Sequence, residues 1–158
     1  MLGLHSKFPY TDSMNPAADL QTVNARCANL GLTLTFAQRL AGTGNSSQDL
    51  AHVLGLDPLT LAPLKPRRWL WMAAQTCSVS YRESLTSEAF LEVLTTGAIP
   101  PAAVPTILHF LGEAPLQLVV MAVQQASQES GVAIAQIWRN IDCMAVTWSS
   151  TRLRSIAK

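Results

Sequence analysis

Charge is what this sequence has least of. Only 13% of its 158 residues are Asp, Glu, Lys or Arg, while 49% are apolar, and soluble domains usually carry about a quarter charged residues. So few charges imply that part of the apolar surface is covered by other subunits, or that the protein is poorly soluble alone. The net charge of +1 excludes a broad electrostatic footprint for nucleic acid, so any such role would be local or shared with a partner. Cysteine is scarce as well. Cys27, Cys77 and Cys143 are far apart and odd in number, which suits neither a secreted disulfide framework nor a zinc site, and they read as small buried hydrophobes. Long hydrophobic runs are missing: the most apolar window, 114–126, is too short to span a bilayer and contains Gln117, Gln124 and Gln125. The opening MLGLHSKFPYTDS lacks a basic stretch followed by an apolar one, so neither a signal peptide nor an anchor is expected, and the cytoplasm is the expected location.

Catalytic signatures are lacking too. There is no nucleotide-binding glycine loop, HExxH, CxxC or Gly-x-Ser-x-Gly. His5, His52 and His109 lie in separate segments, and the i, i+4 pair Glu88 and Glu92 has no metal ligand beside it and reads as a solvated face. The expectation is a protein that is not an enzyme, with no catalytic residues, metal, cofactor or small-molecule ligand.

What is present is helical periodicity. In residues 15–41, Leu20, Val23, Cys27, Leu30, Leu34, Ala37 and Ala41 recur at steps of three and four, the pattern of a long helix that packs along a narrow seam. Asn15 and Pro16 mark its start, and Gly42 and Gly44 its end. Such a helix either lies on its own core or forms a dimer seam, and Gly31 in its middle costs about 1 kcal/mol unless close approach of another backbone needs it.

Further helices follow. Asn45, Ser46 and Ser47 offer caps to a short helix with Leu50, Val53 and Leu54 inward, ending at Gly55. Asp57 caps a turn, and Pro66 opens a helix with Trp69, Leu70, Met72 and Ala73 inward. Lys65, Arg67 and Arg68 sit at its entrance, where cations are disfavoured by the dipole, and meet solvent or else an acidic surface or a phosphate. Residues 77–82, CSVSYR, alternate like a strand, as an extended connector or a dimer edge. Thr86 caps a helix stopped by Gly97, and a second runs from Pro101 to Leu111, the order of a helix-turn-helix. Thr106 and His109 are the base-contacting groups of that second helix, which otherwise serves packing. Residues 114–131 and 132–146 make two more amphipathic helices, Ile134, Ile137, Trp138, Ile141 and Ala145 sharing a face of the last. The basic tail with Arg152 and Arg154 makes phosphate contacts or frays.

Ordered landmarks then resemble a family: Asn29-Leu30 and Ala37-Gln38-Arg39-Leu40, Leu54-Gly55-Leu56, Leu61-Ala62-Pro63-Leu64 with Pro66, Met72-Ala73, and Cys77 ahead of Tyr81-Arg82. Over residues 16–112 the chain resembles FlhD, a subunit of the bacterial flagellar master activator, and the FlhD-like activators of conjugative elements. The resemblance implies an all-α homodimer intertwined through the first helix, with Leu20, Val23, Cys27, Leu30 and Leu34 at the interface. It further implies an intersubunit disulfide through Cys77, an FlhC-type partner that carries most DNA contacts, and recruitment of RNA polymerase to promoters. DNA-facing residues would fall on Arg82, Ser84, Thr86 and the helix pair carrying Thr106 and His109. The arm at 1–14 and the extension at 114–158 depart from the family, and the central domain is expected at 15–113. The expected function is a transcriptional co-activator subunit for flagellum biogenesis or transfer genes. The alternative is a helical adaptor or accessory subunit of a secretion apparatus that never meets DNA. A cluster of Arg82, Arg152 and Arg154 beside the helix pair would favour DNA.

Overall fold

Six apolar residues in a row, Leu118 to Val123, put apolar side chains on every side of a helix, so that part of it must be surrounded. A computed structural model, which describes residues 16–42, 46–78, 85–148 and 153, places that helix at the centre of an all-helical protein. The elements are α1 (Pro16–Asn29), α2 (Leu34–Ala41), α3 (Ser47–Val53), α4 (Trp69–Ser78), α5 (Ser87–Thr96), a 3-10 turn (Pro101–Ala103), α6 (Val104–Gly112), α7 (Leu116–Ser130) and α8 (Ile134–Thr147). Helix α7 packs against α3, α4, α5 and α8, and buries Leu118 through Val123 together with Ala126.

The helix expected over 15–41 is two helices. Gly31 adopts φ +70°, a left-handed conformation that costs other residues about 1–2 kcal/mol. A Cβ there would stand 3.2 Å from Cγ2 of Ile134 and 3.5 Å from Cδ1 of Trp138. The break is therefore set by the approach of α8. After it, the Thr33 hydroxyl accepts from Phe36 N–H at 3.1 Å and restarts the chain as α2.

Local chemistry fixes the other ends. The Ser46 hydroxyl accepts from Asp49 N–H at 3.2 Å, and Thr86 from Ala89 N–H at 3.1 Å, as expected of N-caps. Asp57 accepts from the N–H groups of Leu59 (2.8 Å) and Thr60 (3.0 Å), which hold its carboxyl below the usual range. One antiparallel bridge, Leu56 to Pro63, closes that loop, and no strand is found among the described residues. The alternation expected over 77–82 fails at its start, because Cys77 and Ser78 complete the last turn of α4; residues 79–82 lie outside the described ones. Helix α4 begins at Trp69 rather than at Pro66.

One core joins all the helices, running from Val23 to Leu153. Phe90 of α5 and Phe110 of α6 meet edge to face, ring centroids 4.8 Å apart, a geometry worth about 0.5–1.5 kcal/mol beyond burial. The division expected at residue 113 thus separates segments that share a core. No single helix among the described residues is long and apolar enough to cross a membrane.

Candidate functional site

The stripe on α1 is covered by the chain itself. Val23 (0%), Cys27 (2%) and Leu30 (0%) have almost no exposed surface, while Leu20 is 43% exposed and Leu34 is half-buried. Helices α2 and α3 pack on α1, and the Trp138 indole N–H donates to Leu30 C=O at 2.6 Å. A seam between two copies along these residues would require the chain to open. Cys77 is likewise buried, in a helix rather than on an extended segment, so a bridge through its thiol would require the end of α4 to unwind.

The expected DNA-facing set is divided. Arg82, Ser84, Arg152 and Arg154 lie outside the described residues. Thr86 is exposed, its hydroxyl occupied as a cap. Thr106 is buried and shares a hydrogen bond with the Ser78 hydroxyl at 3.3 Å. His109 is half-buried, with Nδ1 3.9 Å from the Glu113 carboxylate. The outer face of α6 is formed by Pro105 and Leu108, which offer no base-reading donors. The segments Ser87–Thr96 and Pro101–Gly112 bend by 106°.

Two features go beyond the sequence reading, which places Lys65, Arg67 and Arg68 at a helix entrance but singles out neither Trp71 nor a cleft. The first is on α4, whose Trp69, Leu70, Ala73, Ala74 and Cys77 are buried while Trp71 stays 42% exposed. The Arg68 guanidinium lies 4.7 Å from the Trp71 ring centroid, within cation–π range. Lys65, Pro66 and Arg67 are exposed just before it. The second is a cleft of about 220 Å³ that Arg26, Arg67, Trp69, Met121, Gln124 and Gln125 help to line. Arg26 donates from Nε to Leu54 C=O at 2.8 Å and from Nη2 to Met121 Sδ at 3.7 Å. Burial pushes its pKa below the ordinary value. Gly55, at φ +75°, admits this arrangement: a Cβ there would collide with Met121 Sδ and stand 3.2 Å from Arg26 Nη2. Arg26 stands three residues after Val23 and four before Leu30, so the helical period already sets it at the edge of the buried stripe, and tertiary packing adds the cleft.

Among the described residues, no group of three or more His, Cys, Asp and Glu is placed to hold a metal ion. No family model matches this chain, and neither does any curated protein or solved structure.

Proposed function

We propose that this chain is a binding subunit, a helical adaptor that docks on another protein through the exposed side of α4. The observation that carries this reading is Trp71, 42% exposed, with Arg68 held over its ring. Tryptophan and arginine are the residue types that most often dominate binding at protein interfaces. The stacked guanidinium is pre-positioned, so less side-chain freedom is lost on docking. With Lys65, Arg67 and Arg68 all exposed, the matching surface is an apolar pocket for the indole rimmed by carboxylates. A photo-crosslinking amino acid placed at position 71, in the host cell, tests this. Discrete protein adducts from position 71, with none from a control at exposed position 129, are expected; their absence contradicts the reading.

The second reading is the FlhD-like co-activator, working with an FlhC-type subunit on promoter DNA and RNA polymerase. The 106° bend of the α5–α6 pair falls within the range of helix-turn-helix motifs, about 90–120°, and supports it. The occupied Thr106 and the apolar outer face of α6 weigh against direct base reading, so in this reading DNA is met through the partner. A larger mixed complex, seen by light scattering on co-expression with an FlhC-type subunit, is expected if it holds. A mass unchanged from that of the protein alone contradicts it.

A further inference from the structure

We infer that the cleft beside Arg26 and Arg67 binds a small carboxylate carried on an apolar body, independently of whether the protein is an adaptor. Arg26 carries the argument. It is only 9% exposed, and both its hydrogen-bond acceptors, Leu54 C=O and Met121 Sδ, are neutral. Among the described residues no ion pair reaches it. A guanidinium taken out of water loses hydration that neutral acceptors restore only in part, and an anion restores it most fully. The lowered pKa of Arg26 has that same cause.

The cleft supplies what such an anion would use. Arg67 lines it as a second cation, its guanidinium 5.7 Å from the Trp69 ring centroid. Gln125 spends its Oε1 on Leu70 N–H at 2.7 Å, which leaves its amide N–H groups to donate. Pro63, Leu64, Pro66 and Trp69 add apolar surface. A planar guanidinium fork matches a carboxylate in bidentate fashion. Phosphate is favoured instead by several convergent backbone N–H groups, and here the Leu70 N–H at the start of α4 is already taken. Size sets the body. A dry cavity of about 150 Å³ holds benzene, so about 220 Å³ admits a six-carbon ring with a carboxymethyl group.

The test is a titration of the full chain, followed by nitrogen-proton NMR, with phenylacetate, its neutral isostere phenylacetamide, and inorganic phosphate. Phenylacetate is expected to shift the side-chain amides of Gln125 and Gln128, which both line the cleft, and the Trp69 indole N–H saturably. Phenylacetamide and phosphate are expected to shift them weakly or not at all. Arg67→Ala, at an exposed position, should leave the spectrum dispersed and weaken phenylacetate several-fold, and Arg26→Gln should abolish its binding. Equal shifts from phenylacetamide would overturn the role of charge. Equal shifts from phosphate would overturn the role of the apolar body. Saturation by none of the probes, or binding of phenylacetate unaffected by Arg67→Ala, would overturn the site, whatever Arg26→Gln does to folding.

Discussion

The indole N–H of Trp138 donates to the backbone carbonyl of Leu30 at 2.6 Å, tying the last helix to the end of the first. Both residues are fully buried. The bond satisfies a carbonyl stranded where α1 stops, since Gly31 turns the chain away. Trp138→Phe keeps most of the volume but removes the donor, and should destabilise by about 1–3 kcal/mol, the cost of a buried group left unpaired. Trp138→Ala adds a cavity and should cost about 3–5 kcal/mol. Urea unfolding followed by circular dichroism separates the two.

At Gly31 and Gly55 glycine answers to two constraints at once, a left-handed backbone and a close neighbour. Gly31→Ala sets a methyl group against Ile134, and Gly55→Ala sets one against Met121 and Arg26. Each should lower stability by more than the about 1–2 kcal/mol of the backbone term alone. The Gly55 substitution should cost more, because Met121 is 4% exposed and has little room to yield. Midpoints of urea unfolding, at an unchanged slope, are the measurement.

The helices were legible where local signals speak: Ser46 and Thr86 as caps, Gly97 and Gly131 as stops, and Ile137, Trp138 and Ile141 as one buried face all stand as their residue types and spacing imply. The long first helix was misread because its apolar repeat continues across Gly31, and only α8, more than 100 residues on, supplies the contact that breaks it. The a/d stripe was real, but an apolar stripe is blind to whether its cover comes from a second copy or from the same chain. The spacing of Arg26 from Val23 and Leu30 marks it as flanking the buried face, but nothing near it in sequence predicts that the end of α3 and Met121 of α7 will enclose it.

Thiol chemistry should be divided in the same way. Cys143 is exposed, whereas Cys27 and Cys77 are buried, and burial pushes the Cys27 thiol up in pKa, so little thiolate is available to react. Ellman's reagent at neutral pH should therefore label one thiol rapidly in the native protein and all three in denaturant. Any disulfide-linked dimer on a non-reducing gel should vanish with Cys143→Ser and persist with Cys77→Ser; the reverse would restore the bridge implied by the FlhD resemblance.

Along α1, two leucines should respond in opposite ways to the same charge. Leu20→Glu, at an exposed site in the first turns, should change stability by no more than about 0.5 kcal/mol. Leu30→Glu buries a carboxylate in the chain's own core and should prevent folding. Size-exclusion chromatography with circular dichroism reads both. A folded Leu30→Glu monomer would mean that Leu30 faced a second copy.

The most direct test is removal of residues 114–158. Helices α7 and α8 cover the rest of the molecule and supply the partner of Leu30. A chain of residues 1–113 should lack cooperative thermal unfolding and aggregate or run expanded by light scattering. A well-folded dimer of that shortened chain would contradict the one-core account, and would place the stripe of α1 at an interface between two copies.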